Sequence, residues 1–200
     1  MRAPASPAQE KLRSLARRLG QLVALKVAQA NQRRLVDDPD VLASIDAVIA
    51  LALAEARAIE AKIAALIDAD PLWRRLDRAF REVKGVAGRT IARLMSAMPE
   101  IGSISGKAAA KLAGLAPIAR DSGNVSGRRR VRGGRAEIRT ALVVVAEIVR
   151  RHEPDFAAFH AKLVAAGKPK MAVRVALARK LLVRLNAKAR DARATHAQTA

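Results

Sequence analysis

The sequence predicts an all-α protein, and three observations carry that expectation. Aromatics make up only 2% of the 200 residues, so Leu, Ala, Val and Ile must build the interior. Ala, Leu, Arg and Lys rank high in helix propensity. Apolar residues also recur at three- and four-residue steps, with the breaks falling at Pro, Gly and Asp. The architecture these features predict is a long antiparallel helical hairpin, a coiled coil, followed by a compact multi-helix domain. That domain should hold a helix-hairpin-helix-like corner and an Arg/Gly-rich loop.

The elements follow in chain order. Residues 1–7 hold two prolines and little to bury, and read as a disordered lead. From about Ala8 to Leu35 the spacing of Leu12, Leu15, Leu19 and Leu22 is that of an a/d seam. Asp37-Asp38-Pro39-Asp40 breaks this helix and caps the next. Val41, Ile45, Val48 and Ala52, then Ile59, Ile63 and Leu66, extend the second face. Two such helices, each roughly 40 Å long at about 1.5 Å per residue, form the hairpin of residues 8–70. An ordinary two-helix piece of a bundle is the other reading.

Asp70-Pro71 is a cap and helix start, and opens a second domain over 71–192. The run through Trp73, Leu76 and Phe80 leads to V-K-G-V-A-G-R-T-I-A-R-L-M, a helix, a glycine turn and a helix. Backbone amides of such a turn can hold a DNA phosphate without reading sequence, which makes Lys84 and Arg89 candidate contacts. The Ala87 methyl stands where a second glycine is usual, so a plain packed corner is the rival reading. A short helix, K-A-A-A-K-L-A-G-L, is stopped by Gly114 and Pro117. Ile138, Leu142, Val145 and Val149 give the next helix. Glu153-Pro154-Asp155 caps a short one anchored by Phe156 and Phe159. After the turn Gly167-Lys168-Pro169-Lys170 comes a last helix with Val173, Leu177, Leu181 and Leu185. The tail, 193–200, is expected to fray.

Charge narrows the function. Lys and Arg number 38 against 18 acids, a net +20, so nucleic acid is the first partner to expect and an acidic membrane surface the second. No stretch of about 18 apolar residues could span a bilayer. With no cysteine there is no disulfide or thiolate metal site, and His152, His160 and His196 lack ligand spacing. The acids are scattered, so no metal or other cofactor is evident in this chain. The absence of a signal-peptide core predicts a cytoplasmic protein.

The charge concentrates between Gly114 and Arg139, G-L-A-P-I-A-R-D-S-G-N-V-S-G-R-R-R-V-R-G-G-R-A-E-I-R. Arginine forks grip phosphate oxygens in pairs, and glycines let backbone approach a partner. Arg120, Arg128, Arg129, Arg130, Arg132, Arg135 and Arg139 are therefore candidate nucleic-acid contacts, with Lys168 and Lys170 beyond them. A serine can attack a phosphodiester where cations stabilise the phosphoryl oxygens. Ser122 and Ser126 both lie beside such arginines, though no histidine is near in sequence to take the proton. A turn-forming role for each Ser-Gly pair is the alternative.

The combination resembles a known family. G-L-A-P, then S-G, the arginine-rich stretch, G-G-R and I-R-T-A-L are similar to the C-terminal domain of the IS-one-ten family of insertion-sequence transposases, which includes the Piv-type DNA invertases. The likeness covers about Trp73 to Arg190, and the helical hairpin resembles the family's coiled-coil connector. It implies a DNA transposase or recombinase in which a serine, here Ser122 with Ser126 as second choice, forms a covalent link to DNA. It further implies an N-terminal RuvC-like domain binding Mg²⁺ through four acids, a domain this sequence is expected to lack. DNA, a structured guide RNA and a second copy of the chain, joined through the coiled coil, are the implied partners. The setting it implies is the bacterial nucleoid. Two other readings stay open. One is a catalytically inactive remnant that only binds nucleic acid; the other is a helical partner-binding protein whose charge is incidental.

Overall fold

Helix boundaries follow from local chemistry. In the computed structural model, which describes residues 6–118, 121–122, 125–126 and 130–199 (backbone alone at 118, 121–122, 125–126 and 130), Ser6 caps the first helix, α1 (Pro7–Gln32). The Ser6 hydroxyl accepts from the Gln9 amide at 3.2 Å, and Pro7 fills the first helical position, where no amide is missed. A 3-10 turn, Arg33–Leu35, ends it. Asp38 then accepts from the amides of Asp40 and Val41 at 3.0 and 3.1 Å and opens α2 (Pro39–Ala69).

These two helices pack on each other within a unit spanning Met1–Asp70. Leu12, Leu19 and Leu22 are buried in α1, and Ile45, Ala52, Ala56, Ile59, Ile63 and Ile67 in α2. The seam therefore begins at Ile45. Val41, expected within it, is 45% exposed because it lies in the first turn of α2, beside the connection. Arg33 and Asp46 join across that connection in a two-pronged pair at 2.7 and 3.0 Å. The Arg33 hydrogen bond holds the Asp46 carboxyl below its ordinary range.

The second unit, Pro71–Ala200, is built around one helix. Its elements are α3 (Pro71–Arg81), α4 (Gly88–Ala97), α5 (Gly106–Leu112), α6 (Ala136–His152), α7 (Pro154–Ala165) and α8 (Lys170–Thr199). The last of these packs against α3, α5, α6 and α7. That position explains its sequence: beside the Val173, Leu177, Leu181, Leu185 stripe runs a second one of Ala178, Leu182 and Ala189, also buried. A helix covered on several sides needs more than one apolar face.

The expected fraying from Arg193 does not occur: α8 continues to Thr199. The Arg193 guanidinium donates to the carbonyls of Ile101 and Pro99, both at 2.8 Å, and burial lowers its pKa. Arg75 holds the Thr199 hydroxyl at 2.7 Å. Asn186, 1% exposed, accepts from the Gly102 amide and donates to the Ile104 carbonyl, each at 2.9 Å. Residues 99–104 are thus fastened to α8 by buried polar groups.

At the start of α7, Phe156 is fully buried under Lys180 and Arg184, whose charged groups lie 4.8 and 4.7 Å from its ring centre. Arg184 pairs with Glu153 and Asp155, and Lys180 with Asp155. Burial tends to raise the Asp155 pKa, but hydrogen bonds from Lys180 and Arg184 outweigh it and leave the group below its ordinary value. A depressed carboxylate stabilises the fold above its unfolded pKa near 3.9, and loses that contribution as pH falls through the lower folded value. The Tm of Asp155→Asn, measured from pH 6 to 2, should accordingly fall less with acid than that of the parent. The corresponding difference in stability should stay under about 1 kcal/mol, because water screens the pair.

The Arg/Gly-rich stretch departs from a plain loop. Pro117–Ile118 (β1) pairs antiparallel with Arg130–Val131 (β4), and Asp121–Ser122 (β2) with Val125–Ser126 (β3). The class remains all-α, with these two-residue pairs as its exception among the described residues.

Candidate nucleic-acid interface

The site is built from its root outward. After α5 the chain turns at Gly114, where φ is +66°, and buries Leu115. Pairing then runs Pro117 with Val131, Ile118 with Arg130, Asp121 with Ser126 and Ser122 with Val125. Nested pairs of this order describe one antiparallel hairpin, and Ser122–Val125 is its outermost described pair.

At the root, three strands of chain come together within contact distance. A Cβ on Gly114 would overlap the Gly133 carbonyl oxygen, and one on Gly134 would lie 2.6 Å from the Leu112 oxygen. The Arg135 amide donates to that same Leu112 oxygen at 2.8 Å. Arg139, one turn into α6, donates through Nη1 to the Gly133 carbonyl at 2.6 Å. Arg135 also forms an ion pair with Glu100, while its Nη1 is buried with no acceptor among the described residues. The hairpin therefore stands on a helical base rather than on a slack linker.

The sequence-predicted contacts divide accordingly. Arg120, Arg128 and Arg129 lie outside the described residues, and of Ser122, Ser126 and Arg130 the structure describes the backbone pairing alone. Arg132 is exposed at the foot of β4. Arg135 and Arg139 are half-buried and engaged at the root. Lys168 and Lys170 are exposed at the turn between α7 and α8.

Lys84 and Arg89 sit elsewhere. Their glycine turn packs on the far end of α6: a Cβ on Gly85, at φ +97°, would lie 3.1 Å from the Val149 amide nitrogen. From Ala136 to Val149 the helix rises roughly 20 Å, so this corner and the hairpin root lie at opposite ends of α6. The Lys84 amide donates to Glu153 Oε1 at 3.1 Å. One amide that a phosphate would use is thus held by a carboxylate of the protein, as a packed corner requires.

Sequence reasoning missed Glu100 as the partner of Arg135, and missed the close approach of Gly114 to Gly133. Glycine between α5 and a proline was the only local signal for the second. Among the described residues, no group of three or more His, Asp or Glu side chains is placed to hold a metal ion. Glu82, Glu100, Glu147, Glu153 and Asp155 are instead joined to Lys188, Arg135, Arg174, Arg184 and Lys180. Among the described residues no helix is long and apolar enough to cross a membrane.

Residues 77–161, from α3 into α7 and including the whole hairpin, match the family model described as Transposase IS116/IS110/IS902 family. No curated protein matches the chain.

Proposed function

We propose that this chain carries the C-terminal domain of an IS110-family transposase, binds DNA along its arginine-bearing hairpin and supplies Ser122 as the nucleophile of a phosphodiester transfer. The observation that carries the reading is the hairpin itself. A serine in its outermost described pair stands on a root made rigid by Gly114, Gly133, Gly134, Arg135 and Arg139. Attack by the Ser122 oxygen on a backbone phosphorus forms a phosphoserine ester. A deoxyribose hydroxyl leaves with the proton that the serine gives up. Neighbouring guanidinium groups stabilise the charge that builds on the phosphoryl oxygens, where preorganised donors act most strongly.

Among the described residues, no three or more acidic or His side chains cluster to hold a metal ion. In this reading the Mg²⁺ ion belongs to an acidic RuvC-like domain, outside the residues described here, and no step of the serine chemistry is assigned to it. Exposed Leu25, Val27, Leu35, Val41 and Leu51 in the first unit support association with a second copy of the chain.

The test combines the chain with such an acidic domain, Mg²⁺ and DNA carrying insertion-sequence ends, and looks for a denaturation-resistant protein–DNA adduct. Ser122→Ala should abolish the adduct, and Ser126→Ala should leave it. An adduct that survives Ser122→Ala would refute the assignment. DNA binding without any adduct would favour the inactive binding module.

A further inference from the structure

We infer that α5 forms a second stretch of the DNA-binding surface, with Lys107 and Lys111 holding backbone phosphates of the strand engaged by the hairpin. This rests on the nucleic-acid reading above and extends it to a helix not so far assigned any role.

Two sets of cations in the second unit can be compared. Arg174, Lys180, Arg184 and Lys188 on α8 pair with Glu147, Asp155, Glu153 and Glu82. Arg193 is spent on backbone carbonyls. These side chains hold helices together. Lys107, Lys111, Arg132 and Arg179 have no ion-pair partner among the described residues. Neither helix offers its own cations a partner: α5 reads GKAAAKL, and α8 carries no acid before Asp191.

Position turns this second group into a surface. Asn186 binds Gly102 and Ile104, and a Cβ on Gly106 would meet Val183 at 3.3 Å, so the chain approaching α5 runs antiparallel to α8. The other end of α5 is fixed at the hairpin, where the Leu112 carbonyl accepts from Arg135. Along the way Ala109 and Ala110 are fully buried while Lys107 and Lys111 are exposed. The helix thus presents two lysines on one outward face, leading from Val183 to the root of the hairpin. Arg179 lies one turn of α8 beyond Val183, and Arg132 stands where the hairpin leaves its root.

Four residues of helix separate the lysines by about 6 Å along the axis. That is close to two nucleotides of a duplex strand, at about 3.4 Å each. Ammonium groups so spaced can meet phosphates two nucleotides apart without reading sequence.

The experiment uses the full chain and measures anisotropy of fluorescein-labelled single-stranded DNA and of its duplex, with RNA of the same sequence for comparison, over a range of salt. Lys107→Gln/Lys111→Gln should flatten the slope of log Kobs against log salt by about 1.4 on the single strand and about 1.8 on the duplex. The charge-matched Arg78→Gln/Arg151→Gln, on exposed positions of α3 and the far end of α6, should keep the parent slope. Equal slopes for the two double variants, with the parent binding DNA, would overturn this inference alone. A parent chain that binds neither probe at low salt would overturn the nucleic-acid reading and this inference with it. A slope change confined to RNA of the same sequence would overturn the assignment to DNA. Both variants change exposed side chains, and unaltered melting curves will show that the fold is kept.

Discussion

Gly114→Ala should destabilise the second unit by about 2–6 kcal/mol, while Gly133→Ala should do far less. Both glycines have φ near +66°, so both substitutions place an L residue in the left-handed region. That strain alone is of order 1–3 kcal/mol. The surroundings differ. A methyl at 133 meets nothing within 4 Å, whereas one at 114 overlaps the Gly133 carbonyl and the Arg139 guanidinium. Overpacking against backbone adds about 1–3 kcal/mol, because backbone cannot rotate away as a side chain can. It also displaces the Arg139 hydrogen bond that fixes the root. Urea unfolding of both variants separates the effects, since their difference reports the overlap alone. Equal losses in the two would mean that the root is not tightly packed. Hydrogen exchange should further show loss of protection at the Arg135 amide in Gly114→Ala, ahead of the α8 core.

Much of the helical plan was legible because helix ends carry their own chemistry. Asp38 and Ser105 accept amide hydrogen bonds at the starts of α2 and α5, and prolines 39 and 154 occupy first turns. Ser6 and Pro7, expected in a disordered lead, instead cap and open α1, because a hydroxyl and a proline suffice to start a helix without apolar residues before it. The C-terminal end of α8 was not legible. Its last residues, R-A-T-H-A-Q-T, lack apolar periodicity, and Arg193 bonds to carbonyls 92 and 94 positions earlier in the chain. Only the tertiary fold brings that acceptor pair into reach. The hairpin was hidden for another reason: two-residue strands are shorter than any period that a sequence window can detect.

The candidate site was legible in composition but not in the division of labour. Seven arginines between Gly114 and Arg139 look equivalent in sequence, yet Arg135 is paired to Glu100 and Arg139 to a carbonyl, while Arg132 is exposed. Grouping Lys84 and Arg89 with them followed from the glycine turn between two helices, whose amides could hold a phosphate. The packed length of α6 sets the glycine corner apart from the hairpin root. Conversely, two lysines in an alanine-rich heptamer carry no motif, and gain meaning only from where α5 begins and ends.

Phe156→Ala is expected to be the most destabilising truncation, at about 3–5 kcal/mol, from lost burial and the cavity left behind. The ring is fully buried at the junction of α7 with α8, and it also supports two cations. Arg184 and Lys180 stack on it while reaching Glu153 and Asp155. Removing the ring therefore takes away a contact worth roughly 0.5–1 kcal/mol for each cation, and loosens the geometry of the ion pairs. Phe156→Leu separates the terms: it keeps most of the apolar volume and loses the aromatic face. A double-mutant cycle with Arg184→Met should then give a coupling of about 0.5–1 kcal/mol between ring and guanidinium. Zero coupling would mean that the ring acts through volume alone. Glu153 also accepts from the Lys84 amide, so the loss at Phe156 should extend to the glycine corner. Faster hydrogen exchange at Lys84 in Phe156→Leu would register that connection, because the amide stays protected only while Glu153 is held in place.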